Sequence, residues 1–334
     1  MQIGPQLLDW YDKHRRSLPW RGSRNPYVIW ISEIIFQQTR IGQGTAYFLR
    51  FIERFPDILS LARAEEDEVL RLWQGLGYYS RARNLMSTAR KIQTDYNGQL
   101  PSDFKLISEL KGIGDYTASC ITSICFRMPH AAVDGNVYRV LSRLFADSTT
   151  INSGAGKKRF KDLAQSLITP ERPGDFNEAM MDLGAMVCTP RSPNCQECPL
   201  SKLCKAYATG TQSSFPVKTM TRTRSVRLME YVLIKSDERI LVRKRTGSGI
   251  WKGLYELPSP ATGTSGLPEI SRIIHPLSHA DLDIRFYRTG EVDTDIAADQ
   301  DLIWIGIKEI NQYPFPKPLA DFLNEHALIG GTKA

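Results

Sequence analysis

"LKGIGDYTASCITSICF", residues 110–126, decides the fold of the first two hundred residues, because two closely spaced glycines open an apolar-periodic helical stretch. Gly112 and Gly114 permit a tight turn and a close approach, so the amide groups at the new helix's N-terminus can meet a phosphate directly. This is a helix-hairpin-helix signature. Taken alone, the residues fit a plain helix–helix turn with a glycine C-cap equally well, and the flanking stretches move the balance.

On both sides, "SEIIFQQTRIGQGTAYFLRFIERF", "EDEVLRLWQGL", "SRARNLMSTARKIQTDY", "SDFKLISEL", "NVYRVLSRLFA" and "NEAMMDLGAMVC" show helical apolar spacing. An all-helical domain is therefore predicted over residues 1–207. A basic linker follows over 208–226, rich in Ser and Thr and carrying Lys218, Arg222 and Arg224; Arg227 continues the basic run. Beyond it, "EYVLIK", "RILVRKR", "LDIRFYR" and "LIWIGI" read as short strands and "PLADFLNEH" as a closing helix, which makes residues 227–334 an α+β domain. The expected fold class is mainly α with a smaller α+β domain at the C-terminal end.

The 334 residues carry a formal net charge of +7, which favours a polyanionic partner, and are 42% hydrophobic, enough for a substantial core. No apolar run approaches membrane-spanning length and "MQIGPQLLDWYDKHRR" lacks a signal-peptide core. The expectation is a soluble, cytoplasmic, nucleoid-associated monomer.

Four cysteines, Cys188, Cys195, Cys198 and Cys204, are spaced Cys-x6-Cys-x2-Cys-x5-Cys in "CTPRSPNCQECPLSKLC". Structural zinc sites usually pair two tight Cys-x2-Cys knuckles. This loop has one knuckle between two wide gaps, which puts a 4Fe-4S cluster well ahead of zinc. Four unrelated thiols so close together would need a reason in a reducing compartment.

Two carboxylates complete the reading. Asp134 in "VDGNVYRVLSR" precedes a helix start, where an aspartate is a preferred N-cap and the helix terminus favours its anion. Glu33 shares a helical face with Ile29, Trp30, Phe36 and Gln37, large neighbours that disfavour its charged form. One carboxyl biased toward the acid and another held as the anion is the division of labour that breaks glycosidic bonds.

With "SEIIFQQT", "QGLGYYSRARNL", "LKGIGDYTA", "VDGNVYRVLSR", "FNEAMMDLGAMVC", the cysteine quartet, "GIWKGLYELP" and "HPLSHADLDI", the chain resembles the MutY-type adenine DNA glycosylases of the helix-hairpin-helix superfamily over nearly its whole length. The resemblance implies removal of adenine mispaired with 8-oxoguanine in duplex DNA by flipping the base out of the helix. It implies that Glu33 is the general acid, that Asp134 stabilises the sugar cation, that Asn136 and Tyr116 support the sugar and the water, and that Glu178 is a further active-site carboxylate. Endonuclease III-like relatives carry a Schiff-base lysine where this chain has Tyr116, so a monofunctional enzyme is expected. Tyr78 matches the family's intercalating tyrosine, Gln38 a residue at the lesion, and Lys202 and Lys205 phosphate contacts beside the cluster. Tyr79 reads as core.

The C-terminal domain resembles a Nudix fold without its hydrolytic machinery, because "SPATGTSGLPEISRI" stands where a glutamate-bearing helix should follow "GLYELP". Such a domain would read the base opposite adenine, with Ser278 as the contact to 8-oxoguanine and His279 beside it. Leu277 for phenylalanine and Lys111 for proline depart from the family pattern. An endonuclease III-like pyrimidine-lesion glycosylase, a non-catalytic iron–sulfur DNA-binding protein and a nucleotide hydrolase are the rival readings.

Overall fold

The computed structural model describes residues 2–219, 224–260, 266–289 and 301–326. They gather into two compact units. One runs to Ala62 and resumes at Ser87 as far as the linker, and the other takes Arg63–Met86 together with the described residues from Arg224 onward. Arg222 lies outside the described residues. Among the described residues no helix is long and apolar enough to cross a membrane.

The first unit is helical: α1 (Gly4–His14), α2 (Pro26–Ile35), α3 (Ile41–Arg54) and α4 (Ile58–Arg63), then, past α5 (Glu66–Leu72) and α6 (Ser80–Asp95), α7 (Phe104–Ser108), α8 (Asp115–Phe126), α9 (Gly135–Phe145), α10 (Gly154–Leu167), α11 (Pro173–Met186) and the short α12 (Lys205–Ala208). Asn25 caps α2 by accepting from the Tyr27 amide, and Pro26 supplies a first-turn φ that needs no donor. Seven of its ten residues are buried, so α2 is a core helix. The continuous helix expected from residue 32 to 55 is broken. Phe36 turns onto Trp20, with ring centroids 4.3 Å apart, and Gln38 takes a left-handed φ of 59° before α3 begins.

The hairpin turn takes the form that its glycines allow. Gly112 has φ +83°, a conformation that other residues rarely adopt, and α8 starts immediately after Gly114. Asp134 caps α9, accepting from the amides of Asn136 and Val137 at 2.9 and 2.8 Å. α11 lies close against α9 because residue 184 has no side chain: a Cβ there would stand 2.6 Å from the Cβ of Asn136. Leu7, Tyr11, Val140, Leu141, Phe160, Phe176 and Leu183 fill the core between α1, α9, α10 and α11.

The second unit is built on a mixed sheet with β1 (Ser225–Ser236), β2 (Arg239–Lys244), β3 (Tyr255–Glu256), β4 (Glu269–Pro276), β5 (Ala280–Thr289) and β6 (Leu302–Gly306), closed by α13 (Lys317–His326). The order is β3-β2-β1-β5-β4, with β6 on β2. β1 and β5 run parallel from Ser225↔Ala280 to Ile234↔Thr289, and β4 returns antiparallel on β5. Phe322 of α13 stacks on Phe286 of β5 at 3.7 Å. The four expected strands are present; β3 and β4 are additional. In the stretch without a glutamate helix, residues 261–265 lie outside the described residues and Glu269–Pro276 is β4.

Helix α5 and the start of α6, as far as Met86, join this unit through charge and close packing. Asp67 accepts from Lys244 Nζ at 2.5 Å and from the Tyr255 hydroxyl at 3.2 Å, and Arg83 donates to the carbonyl of Lys252. Buried Glu256 is held by Arg243, Arg245 and the Tyr231 hydroxyl, which offsets the cost of enclosing its charge.

The α9–α11 approach yields a stability test. Gly184→Ala should destabilise the protein by about 1–3 kcal/mol, the usual cost of overpacking, whereas Gly154→Ala, whose new methyl meets nothing within 4 Å, should stay within about 0.5 kcal/mol of the parent. Urea unfolding of both variants measures the contrast; equal stabilities would remove the close-packing argument.

Candidate active site and iron–sulfur loop

Glu33, Tyr116, Asp134, Asn136 and Glu178 converge within the helical unit. Tyr116 and Cys120, one turn apart on α8, and the carboxylates of Glu178 and Asp134 all act on the Glu33 side chain, while the Tyr116 hydroxyl donates to Met181 Sδ at 3.6 Å. Burial pushes the Glu33 carboxyl from 4.5 up to about 7, reinforced by those two negative neighbours and opposed by the polar side chains of Tyr116 and Cys120. Some surface remains on the residue, so it is not sealed from a ligand. Burial likewise lifts the Tyr116 phenol well above its ordinary value, which keeps it a neutral donor.

Asp134 differs from expectation in one respect. Its Oδ1 accepts the two cap amides and its Oδ2 accepts from Asn136 Nδ2 at 2.8 Å, all of which favour the anion. Burial outweighs them, and the carboxyl lies above its ordinary 3.8 rather than below it. A partly desolvated carboxylate whose hydrogen bonds come from one helix end gains strongly when a cation forms beside it.

Glu178 belongs to a charge-balanced network that sequence reasoning missed. It accepts from the Tyr11 hydroxyl at 2.6 Å and pairs with Arg21 at 3.1 Å. Arg21 also reaches fully buried Asp182, which Arg16 grips at 2.8 and 2.6 Å. Glu178 and Asp182 stand one turn apart on α11, a pairing visible in the sequence; the arginines from the other end of the chain carried no local signal.

A second missed group links the site to the cysteine loop. Arg139 donates to Asn136 Oδ1 at 2.8 Å, to the Gly184 carbonyl at 2.6 Å and to the Cys188 carbonyl at 2.7 Å. A continuous hydrogen-bonded path therefore runs from Cys188 through Arg139 and Asn136 to Asp134.

Cys188, Cys195, Cys198 and Cys204 line one small void together with Arg143 and Gln212. Among the described residues no three His, Cys, Asp or Glu side chains close on a single metal ion. An iron–sulfur cube held at its corners needs four sulfurs around a common space, which the shared void offers. Burial, with the three neighbouring sulfurs, pushes the Cys198 thiol up to about 12; four thiolates here require a cationic core.

Of the remaining candidates, Gly112, Gly114, Gln38, Lys202 and Lys205 are exposed. Tyr78 is 45% exposed, held at φ +48° after Gly75 and Gly77 in left-handed conformations, while Tyr79 is buried, as expected of a core residue. Ser278 and His279 sit at the exposed tip between β4 and β5, where the Leu277 amide donates to the Ala280 carbonyl. Tyr78, Ser278 and His279 border one cavity of about 500 Å³, which Arg83, Trp251 and His275 also line. All of these residues belong to the second unit.

Comparison with known proteins agrees with this geometry. The model of HhH-GPD superfamily base excision DNA repair proteins matches residues 31–167, the NUDIX domain model residues 230–325, and the iron-sulfur binding domain of endonuclease III residues 188–204. The last match runs from the first to the last cysteine of the quartet and shows a 4Fe-4S cluster as the cofactor. An adenine DNA glycosylase of Buchnera aphidicola (subsp. Acyrthosiphon pisum) is 32% identical over 333 residues, covering 95% of this chain and 95% of that protein. The rat adenine DNA glycosylase is 35% identical over 325 residues, or 82% of this chain and 63% of the rat protein. A thermostable thymine-DNA glycosylase superposes with a TM-score of 0.57 at 32% identity over 61% of this chain and 94% of its own. An endonuclease III in non-covalent complex with DNA gives 0.53 at 23% identity, covering 62% and 94%, which bears on the fold alone. With likeness running through the helical domain, the cysteine loop and the Nudix-like domain alike, the chain belongs to the adenine DNA glycosylase family of helix-hairpin-helix base excision repair enzymes.

Proposed function

We propose that this enzyme binds duplex DNA containing adenine opposite 8-oxoguanine, flips the adenine into the helical unit and hydrolyses its N-glycosidic bond without cutting the strand. The observation that carries the reading is a carboxyl poised at about 7, Glu33, in one site with the capped carboxylate of Asp134. Glu33 gives its proton to N7 of adenine, and the electrons of the glycosidic bond leave with the base. The sugar cation that results lies against Asp134, steadied by Asn136. Water then adds to the cation and releases a proton, with Tyr116 and Glu178 supporting the water and the sugar.

General acid catalysis contributes about 10²–10⁴ in rate, less than a stable N-glycosidic bond demands, so electrostatic stabilisation by Asp134 supplies the larger remainder. The cluster, when bound, fixes the loop that presents Lys202 and Lys205 to phosphate, and Gly112 and Gly114 offer backbone amides to the same strand. Opposite the extruded base, Tyr78 enters the stack and Ser278, with His279, reads 8-oxoguanine. Their shared cavity supports that assignment.

The acid role fixes a pH dependence. Glu33 is competent only while protonated, so kcat/KM should fall about tenfold per pH unit above roughly 7. On the acid side it should fall as Asp134 protonates, at a pH higher than an ordinary aspartate would give. Glu33→Gln should lower single-turnover adenine release by about 10²–10⁴ while duplex binding persists; an unchanged rate would remove the acid assignment.

Tyr116 cannot form an imine. Incubation with borohydride should capture no DNA at a rate matching base release, and heat or alkali should be needed to cut the abasic strand. Rapid trapping would contradict the monofunctional reading.

Ser278→Ala should narrow the kcat/KM ratio between duplexes that differ only in 8-oxoguanine or guanine opposite adenine, with loss concentrated on the 8-oxoguanine duplex. An unaltered ratio would exclude Ser278 as the reader.

A further inference from the structure

Side-chain donors reach two of the four cluster sulfurs. Cys188 and Cys195 meet side chains. Arg143 Nη1 stands 3.4 Å from Cys188 Sγ, and Gln212 Nε2 stands 3.7 Å from Cys195 Sγ. In the thiol state Cys204 Sγ also meets the Arg143 carbonyl at 3.4 Å, a bond that a thiolate cannot donate.

Arg143 is 2% exposed and its guanidinium is fully engaged. Nη1 and Nη2 donate to the Thr189 and Pro190 carbonyls at 2.7 and 2.9 Å, and Nε donates to the Gln212 carbonyl at 2.9 Å and the Phe215 carbonyl at 3.3 Å. One side chain thus ties the segment beginning at the first cluster cysteine to the 3-10 turn Gln212–Ser214 that lies beyond the last. The backbone of Gln212 is fixed by this tie, and its amide side chain is held toward Cys195.

We propose that Gln212 is a tuning residue of the 4Fe-4S cluster: its amide donates to the Cys195 thiolate and raises the cluster's reduction potential. The physical basis is charge. Gain of one electron makes the cluster more negative, a donor to a ligating sulfur stabilises the more negative state, and the midpoint moves upward. Arg143 acts in the same direction at Cys188, but its removal would also release two stretches of backbone, so Gln212 offers the cleaner test. The claim concerns the equilibrium potential and adds no electron-transfer step to base removal.

The experiment uses the full-length holoenzyme bound to an abasic-site duplex, with the midpoint read by film voltammetry or by a mediated titration followed by electron paramagnetic resonance. Gln212→Leu removes the donor and Gln212→Glu replaces it with an acceptor carrying negative charge. At iron content equal to the parent, the midpoint should shift to more negative values in Gln212→Leu and further in Gln212→Glu. Identical midpoints in all three proteins would overturn the proposal. So would loss of iron from both variants, since the amide would then hold the loop together rather than tune the cluster.

Discussion

The Glu33 carboxyl holds its proton up to about neutrality beside the helix-capping carboxylate of Asp134, and the helical unit is arranged around that pair. Glu33 achieves it by placement in α2, a helix so apolar that its one acidic side chain is enclosed by the core the helix builds. The cost appears as pH-dependent stability. A carboxyl whose folded value is raised from 4.5 to about 7 contributes fully below the lower value and loses that contribution as pH rises through the higher one. At about 1.4 kcal/mol per factor of ten, the penalty above neutrality is about 3 kcal/mol. The acid is thus kept at the expense of part of the fold's own stability.

Asp134 is held by a different principle. Three donors from the start of α9 fix its orientation, and its position depends on how α9 meets α11 and the cysteine loop. Arg139 joins these elements through the carbonyls of Gly184 and Cys188 and the side chain of Asn136. The cysteine loop and the Asp134 carboxylate are therefore parts of one hydrogen-bonded assembly, and disorder in the loop reaches Asp134 through two side chains.

What could be read in the chain followed from local chemistry. The cap at Asp134, the burial of Glu33, the left-handed turn at Gly112 and the gathering of the wide-gapped cysteine quartet are each signalled within a few residues. The partners that set charge balance did not. Tyr11, Arg21 and Asp182 come from opposite ends of the helical unit, and Arg139 and Arg143 look like ordinary polar positions of an amphipathic helix until their carbonyl partners are known. The N-cap of Asp134 was legible, but the weight of burial against it depends on packing. The break at Gln38 was concealed because the apolar period continues across it, and tertiary stacking of Phe36 on Trp20 overrides that period.

The segment Arg63–Met86 has one further meaning. In chain order it lies deep within the helical half, yet its anchors are Lys244, Lys252 and Tyr255, contributed from far downstream. Tyr78, proposed as the wedge, and Ser278, proposed as the reader of the opposite base, are consequently mounted on a single chassis. A polypeptide ending at the linker would lack those anchors, so the stretch that carries Tyr78 depends for its bracing on residues encoded about 170 positions later.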